Sequence, residues 1–432
     1  MNHRKSPPTV NLNLNVRGLS KSATLEINEK SNALIREGRE VFKLGLGQSP
    51  FPVPESVVAE LKANAHQKAY LPVMGLPALC DAVADFHRRM EGIDFTGDDV
   101  LIGPGSKELM FILQLVYYGD LLIPSPSWVS YAPQAQIVGR HIRWLQTTWE
   151  NDLALFPEEL DRHCRKDPDR PRLMILNYPN NPSGNSFISG KLKALADVAR
   201  KYRIILLSDE IYGELNHRGQ HVSIARYYPE GTIISSGLSK WCGAGGWRLG
   251  TFAFPKSLGW LKEAMGVVAS ETFTSTSAPI QYAAVRAFQG GLDIEKYLYY
   301  SRRILRSLGQ YFYQRLRKAG AILPEPRGGF YLFVNFEPFR EKLREKGVHN
   351  STDFCNLLLD ETGVAILPGV VFGRPAEELS ARLAYVDFDG ARALVGAAQV
   401  PNGKSLDSDF LNLYFPKMIK ACDQLCQWLE VC

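Results

Sequence analysis

The chain lacks three things: an apolar run long enough to cross a bilayer, a block of like charge, and a paired-cysteine motif. Its most apolar stretch, MFILQLVYYGDLLIP, is interrupted by Gln114, Gly119 and Asp120, well short of the roughly twenty residues that a membrane helix needs. No membrane span is readable. The opening residues are polar and broken by Pro7 and Pro8, so they lack the apolar centre of a signal peptide and read as an arm. Lys and Arg number 50 against 45 Asp and Glu, a net charge of +5 spread along the chain. A nucleic-acid footprint would need those cations clustered, so nucleic acid is not expected as a partner. The seven cysteines, at 80, 164, 242, 355, 422, 426 and 432, form neither a CxxC pair nor a Cys/His set with metal-ligand spacing. They suit a reducing, cytoplasmic setting and predict no metal. Cys422 and Cys426 lie one helical turn apart and read as packing.

At 432 residues the chain exceeds the roughly 250–300 at which a single core stops growing, which predicts two subdomains. Hydrophobic residues at 45% exclude a disordered chain. From about residue 70 to 300, amphipathic stretches alternate with short aliphatic runs: DLLIPSPS, RLMILNYP, RIILLSDE, GTIISSG and LGTFAFP. That alternation predicts an α/β architecture with a mostly parallel sheet covered by helices. Leu298, Leu305, Leu308, Phe312 and Leu316 then recur at helical spacing up to Gly320, predicting a long helix over 293–319 that bridges to a smaller α+β part.

Ligands of such sheets collect beyond the carboxyl ends of the strands. Polar residues stand there after several apolar runs: Asn181 after LMILNYPN, Asp209 and Tyr212 after RIILLSDEIY, Ser239 and Lys240 after TIISSGL. A lone strand-end Asp is more often a helix cap. Several on one ledge, with a GPGSKEL turn that opens a helix and offers free N–H groups to an anion, call for a common ligand. Lys240 sits in LSKWCGAGGWRLG, eight residues before Arg248 with no acid between them. An amine kept from carboxylates is easier to deprotonate; the plainer alternative is a solvated surface lysine.

The segments LGLGQSPFPVPE, AYLPVMGLPALCDAVADF, GPGSKELMF, PSPSWVSY, NYPNNPSG, SDEIY, SKWCGAGGWRLG, GGFYLF and RLAYV occur in the order found in one family. Over roughly residues 18 to 395 the chain resembles a fold-type I pyridoxal-phosphate aminotransferase of class I/II. The resemblance implies a three-layer, mostly parallel sheet domain over 61–310. It also implies an arm with part of a small domain over 1–60 and a C-terminal small domain over 311–432. The implied cofactor is pyridoxal 5'-phosphate, with an amino acid and a 2-oxo acid as ligands and a homodimer with shared sites.

Residue by residue, the resemblance makes Lys240 the Schiff-base residue and proton carrier, with Ser239 beside it orienting the amine or merely satisfying a turn. Arg248 and the backbone of Gly105, Ser106 and Lys107 would hold the phosphate, with Tyr70 reaching it from the partner chain or serving as an ordinary interface aromatic. Asp209 would face the pyridine nitrogen, Tyr212 and Asn181 the ring 3' oxygen. Trp128 would stack on the ring, with core packing as the alternative. Gly47 would admit substrate close to the backbone. Arg382 would clamp the substrate carboxylate, unless it forms a surface salt bridge. PGSKELMF and PSPSWVSY resemble the bacterial aspartate aminotransferase branch, where a lysine at the place of Lys107 helps bind an acidic side chain. This predicts an aspartate/2-oxoglutarate pair, while Lys107 facing solvent and Trp128 with Tyr131 lining an aromatic pocket remain open. Related lyases and aminocyclopropane-carboxylate synthases share most of these residues. A transcription regulator built on this fold is the weaker reading, with about twenty residues ahead of the match.

Two departures stand out. Gly237 replaces a serine that contacts phosphate in many relatives, and Ser183 stands where NPTG has threonine. Beyond Arg382, DFDGARALVGAAQVPNGKSLDSDFLNLYFP predicts a loop-rich segment, a candidate flap near the pocket.

Overall fold

The computed structural model describes residues 11–19 and 23–431; Pro7, Pro8 and most of the expected arm, and Cys432, lie outside them. A two-residue strand, β1 (Phe42–Lys43), precedes the seven strands of the larger sheet. These are β2 (Val100–Gly103), β3 (Asp120–Ser125), β4 (Ile142–Gln146), β5 (Arg172–Asn177), β6 (Ile205–Asp209), β7 (Thr232–Gly237) and β8 (Gly250–Ala253). They lie in the order β2-β8-β7-β6-β5-β3-β4. Only β8 runs antiparallel to its neighbours; the other pairings are parallel.

Side chains alternate between the two faces of a strand, and the sheet uses both. Leu121, Ile123, Ile175 and Leu207 pack into one core with Leu109 and Leu113. Leu122, Met174, Leu176 and Leu206 pack into a second with Leu192 and Leu195. The helix Ser106–Val116 supplies the first pair and Ser189–Lys201 the second. Burial on both faces explains why these strands read as continuous aliphatic runs. Truncating one such leucine to alanine removes about 2–5 kcal/mol. β4 was not foreseen because it is an edge strand in which only Leu145 is buried, so it carries no aliphatic run.

The long helix forms over Leu292–Lys318 and buries Leu298, Leu305, Leu308, Phe312 and Leu316. Beyond it, β9 (Tyr331–Asn335), β10 (Val364–Ala365), β11 (Leu367–Pro368) and β12 (Ser380–Ala384) follow. β12 pairs antiparallel with both β11 and β9, while β10 joins β1 in parallel. The expected loop after Arg382 is instead largely helical, with Gly390–Gln399, Ser408–Tyr414 and Pro416–Val431. Asp389 and Asp407 cap the first two by accepting from Arg392 N and Phe410 N. The Gly390–Gln399 helix buries small residues, Gly390, Ala393, Gly396 and Ala397, which left little apolar periodicity to read. No described residue after Arg382 lines the cavity described below. Cys422 and Cys426 are buried, and no described cysteine is in a disulfide. No described helix is long and apolar enough to cross a membrane.

Candidate active site

The carboxyl ends of β5, β6 and β7 open into a cavity of about 510 Å³. β12 enters it from the smaller sheet through Arg382, and the loop after β1 through Leu46 and Gly47. Lys107, Lys240, Arg248 and Arg382 line it, with Asp209 as the only acid among the described residues. Such a ledge is built to take an anionic ligand.

Asp209 ends β6 and is fully buried. Burial pushes its carboxyl up to about 6, although Tyr131, the Ile211 amide and Ser235 donate to it and oppose that rise. Asn177, at the end of the neighbouring β5, donates from Nδ2 to the Asp209 carbonyl (2.9 Å) and accepts from the Asn181 amide (2.8 Å). Parallel pairing of β5 with β6 sets Asn177 beside Asp209. That register fixes the backbone of both sequence-predicted residues together.

Lys240 follows β7, and its Nζ donates to the Gly47 carbonyl at 2.7 Å. Burial, then the cations Arg382 and Arg248, hold the amine down at about 8. A cation taken from water without a carboxylate at its side favours its neutral form, which is the nucleophilic one. Arg248 adopts a left-handed backbone, φ 55°, and donates to the Gly245 carbonyl at 2.9 Å. Its guanidinium crosses Gly105: a Cβ there would lie 2.1 Å from Nη2. Gly105, itself at φ 94°, caps the helix that opens at Ser106. Arginine and helix N-terminus thus meet in a cradle suited to a phosphate-sized anion.

Arg382 is buried; Nη1 donates to Asn181 Oδ1 (3.0 Å) and Nη2 to the Gly45 carbonyl (2.5 Å). Its Nε has no partner among the described residues, and burial disfavours its charge, with the phenols of Tyr331 and Tyr212 opposing. The expectation of a surface salt bridge is therefore set aside. A buried guanidinium without a carboxylate is costly unless a ligand supplies one.

Trp128 lines the cavity and meets Tyr131 edge to face, with Lys107 Nζ 5.0 Å from its ring centroid. Ser106, Ser239, Asn181 and Tyr212 also line it. Tyr70 does not; it is 89% exposed on the single chain. Gly47 lines the cavity, but its immediate constraint is Tyr331, whose hydroxyl would lie 1.9 Å from an added Cβ.

Sequence reasoning missed two contacts. Tyr131, read there as a possible wall of an aromatic pocket, is instead fully buried with its hydroxyl on Asp209 Oδ2. Tyr331, quoted only as part of GGFYLF, lies against Tyr212 and Arg382. Gly237 is also clarified: at φ 156° an added Cβ would sit 2.6 Å from the Leu249 carbonyl, so a serine does not fit this turn without movement.

A cation-lined cavity with a desolvated amine, at the carboxyl ends of a mostly parallel sheet, defines the class: an enzyme acting on small carboxylates. The chain belongs to the aminotransferase class I and II family, whose model matches residues 39–390, and it is a transaminase. It is 33% identical to the aspartate aminotransferase of Geobacillus stearothermophilus, over 86% of this chain and 93% of that one. It is 30% identical to an asparagine–oxo-acid transaminase of Streptococcus mutans, over 87% and 94%. The aspartate aminotransferase of Thermus thermophilus with maleate superposes with a TM-score of 0.82 at 26% identity, covering 97% of this chain and all of that one.

Proposed function

We propose that the chain binds pyridoxal 5'-phosphate and transfers the amino group of L-aspartate to 2-oxoglutarate. The carrying observation is Arg382, a buried guanidinium with an unpartnered Nε, in a cavity where four basic side chains face one carboxyl. The donor set fits the cofactor. Arg248 and the Ser106 helix terminus would hold its phosphate, Asp209 its pyridine nitrogen, and Tyr212 and Asn181 its 3' oxygen, with Trp128 against the ring. When bound, pyridoxal phosphate supplies an aldehyde for an amine and a ring that withdraws electrons.

The protein's own residues do the rest. Lys240, with its amine already biased towards the neutral form, attacks as a nucleophile and carries the proton to and from the substrate α-carbon. Arg382 grips the α-carboxylate through two parallel hydrogen bonds and so sets which bond faces the ring. Asp209, as a carboxylate, would hold a proton on the ring nitrogen. Lys107, exposed and with its ammonium over Trp128 at the cavity wall, is placed to receive a second substrate carboxylate, and the aspartate aminotransferase relatives support that choice.

The exposed Tyr70 supports a homodimer in which each chain completes its partner's phosphate site. Free, buried cysteines support a cytoplasmic setting. The separate seven-stranded and β11-β12-β9 sheets, with β1 pairing β10, support the division at about residues 60 and 310, with the Leu292–Lys318 helix bridging the second boundary. Purified protein loaded with pyridoxal phosphate and given L-aspartate and 2-oxoglutarate should produce equal amounts of oxaloacetate and glutamate. Amino transfer from phenylalanine at equal or greater kcat/KM would overturn the acidic-substrate assignment.

A further inference from the structure

Tyr331 stands where three parts of the site converge. It opens β9 and pairs with Ala384 of β12, two residues from Arg382. The Arg382 guanidinium lies 4.6 Å from its ring centroid. The Tyr331 hydroxyl is 2.9 Å from that of Tyr212 and 3.5 Å from the Gly47 carbonyl, which also holds Lys240. Its side chain is buried and meets Tyr212 edge to face.

Either hydroxyl of the phenol pair can donate at 2.9 Å, and the competing contact of Tyr331 with the Gly47 carbonyl, at 3.5 Å, is long and weak. A ligand oxygen that accepts from Tyr212 would therefore leave Tyr331 as the donor of the pair. The Tyr212 hydroxyl makes no other hydrogen bond among the described residues. Its own proton is then free to point into the cavity. Burial holds both phenols above their ordinary value, with the Arg382 charge opposing, so both keep their protons at neutral pH. Each donor in such a chain polarises the next.

We propose that Tyr331 is a positioning residue that, through the hydroxyl pair, aims and strengthens the hydrogen bond from Tyr212 to the cofactor's 3' oxygen, while its ring supports the carboxylate-binding guanidinium of Arg382. This rests on the cofactor reading above. The two duties belong to different parts of one side chain, hydroxyl and ring. Tyr331→Phe removes the first and keeps the second.

The test is a spectroscopic pH titration of the visible band of the Lys240-bound cofactor, in the holoenzyme and in Tyr331→Phe, Tyr212→Phe and the double variant. A phenol donor draws charge from the 3' oxygen, which otherwise helps retain the neighbouring proton, so losing the donor moves the midpoint to higher pH. One neutral hydrogen bond corresponds to a shift of roughly 0.3 to 1 pH unit. Tyr331→Phe should show a shift in that range and Tyr212→Phe a larger one. The double variant should match Tyr212→Phe alone, because the relay ends there. The kcat of Tyr331→Phe should fall severalfold while KM for the amino donor stays within about twofold. An unmoved midpoint, additive shifts in the double variant, or a raised KM at unchanged kcat would overturn the role of Tyr331 alone. A wild-type protein that binds no chromophore through Lys240 would overturn this role and the cofactor reading together.

Discussion

Asp209 and Glu210 are consecutive, buried carboxyls, yet they inhabit opposite electrostatic worlds. Neighbours at the end of a strand point to opposite faces. Asp209 faces the cavity with no cation bonded to it among the described residues, and burial pushes its carboxyl up. Glu210 turns away into a closed network, accepting from Ser208 (2.6 Å), Ser223 (2.5 Å) and His221 (2.8 Å). His221 leads the interactions that hold Glu210 down against its burial. Next to it, Glu91 accepts from Arg226 at 2.7 Å and from the Ser223 amide. Behind the sheet each carboxylate has its cation; in the cavity four cations face one acid. Satisfied charge marks scaffold, and charge left for a ligand marks function.

The comparison breaks most sharply at the amine. Lys240→Ala should lower kcat/KM by about 10⁴-fold or more, since nucleophile and proton carrier are lost together. The visible band should vanish as well. A reducible link between protein and cofactor in that variant would refute the assignment.

Next comes the pair of acids itself. Asp209→Asn should lower kcat by about 10²- to 10³-fold, the scale of one preorganised electrostatic contact, without a loss of folding stability. Glu210→Gln should do the reverse: breaking a buried pair costs about 3–5 kcal/mol, seen as a lower Tm, with kcat of the folded fraction within about tenfold. The cofactor-free protein adds a pH signature. A carboxyl raised from 3.8 to about 6 on folding binds more protons in the native state across that window. Stability from this group is therefore present below about pH 4 and lost as pH rises through about 6. The Tm of Asp209→Asn relative to the parent should climb over that interval; a flat difference would place Asp209 in a better-solvated site.

What the sequence made legible follows the same division. Lys240, Arg248, Asp209 and Asn181 lie inside contiguous motifs at strand ends, where chain order alone brings them to the ledge. The contacts of Tyr131 with Asp209 and of Tyr331 with Tyr212 span 78 and 119 residues, and only the packed fold reveals them. β4 escaped because it buries a single leucine. The Gly390–Gln399 helix escaped because close packing selects small residues, so that a Cβ on Gly396 would meet the Tyr414 ring. The direction of β8 was equally hidden, since LGTFAFP has the same aliphatic character as its parallel neighbours.

The two remaining tests concern the ligand's own charges. Arg382→Ala should raise KM for the amino donor by about 10²-fold, the value of a buried charged hydrogen-bond pair. An effect below about threefold would mean that the carboxylate is held elsewhere. Lys107 should matter less, because it is exposed, its charge is already disfavoured by desolvation and by Arg248, and its ammonium has Trp128 as a standing partner. One charge-assisted hydrogen bond is worth about tenfold in discrimination. In Lys107→Ala the ratio of kcat/KM for aspartate over phenylalanine should fall by about that factor. The fall should come chiefly through aspartate, because the indole face stays in place for the aromatic substrate. An unchanged ratio would move Lys107 from the cavity's specificity to the charge balance around Arg248.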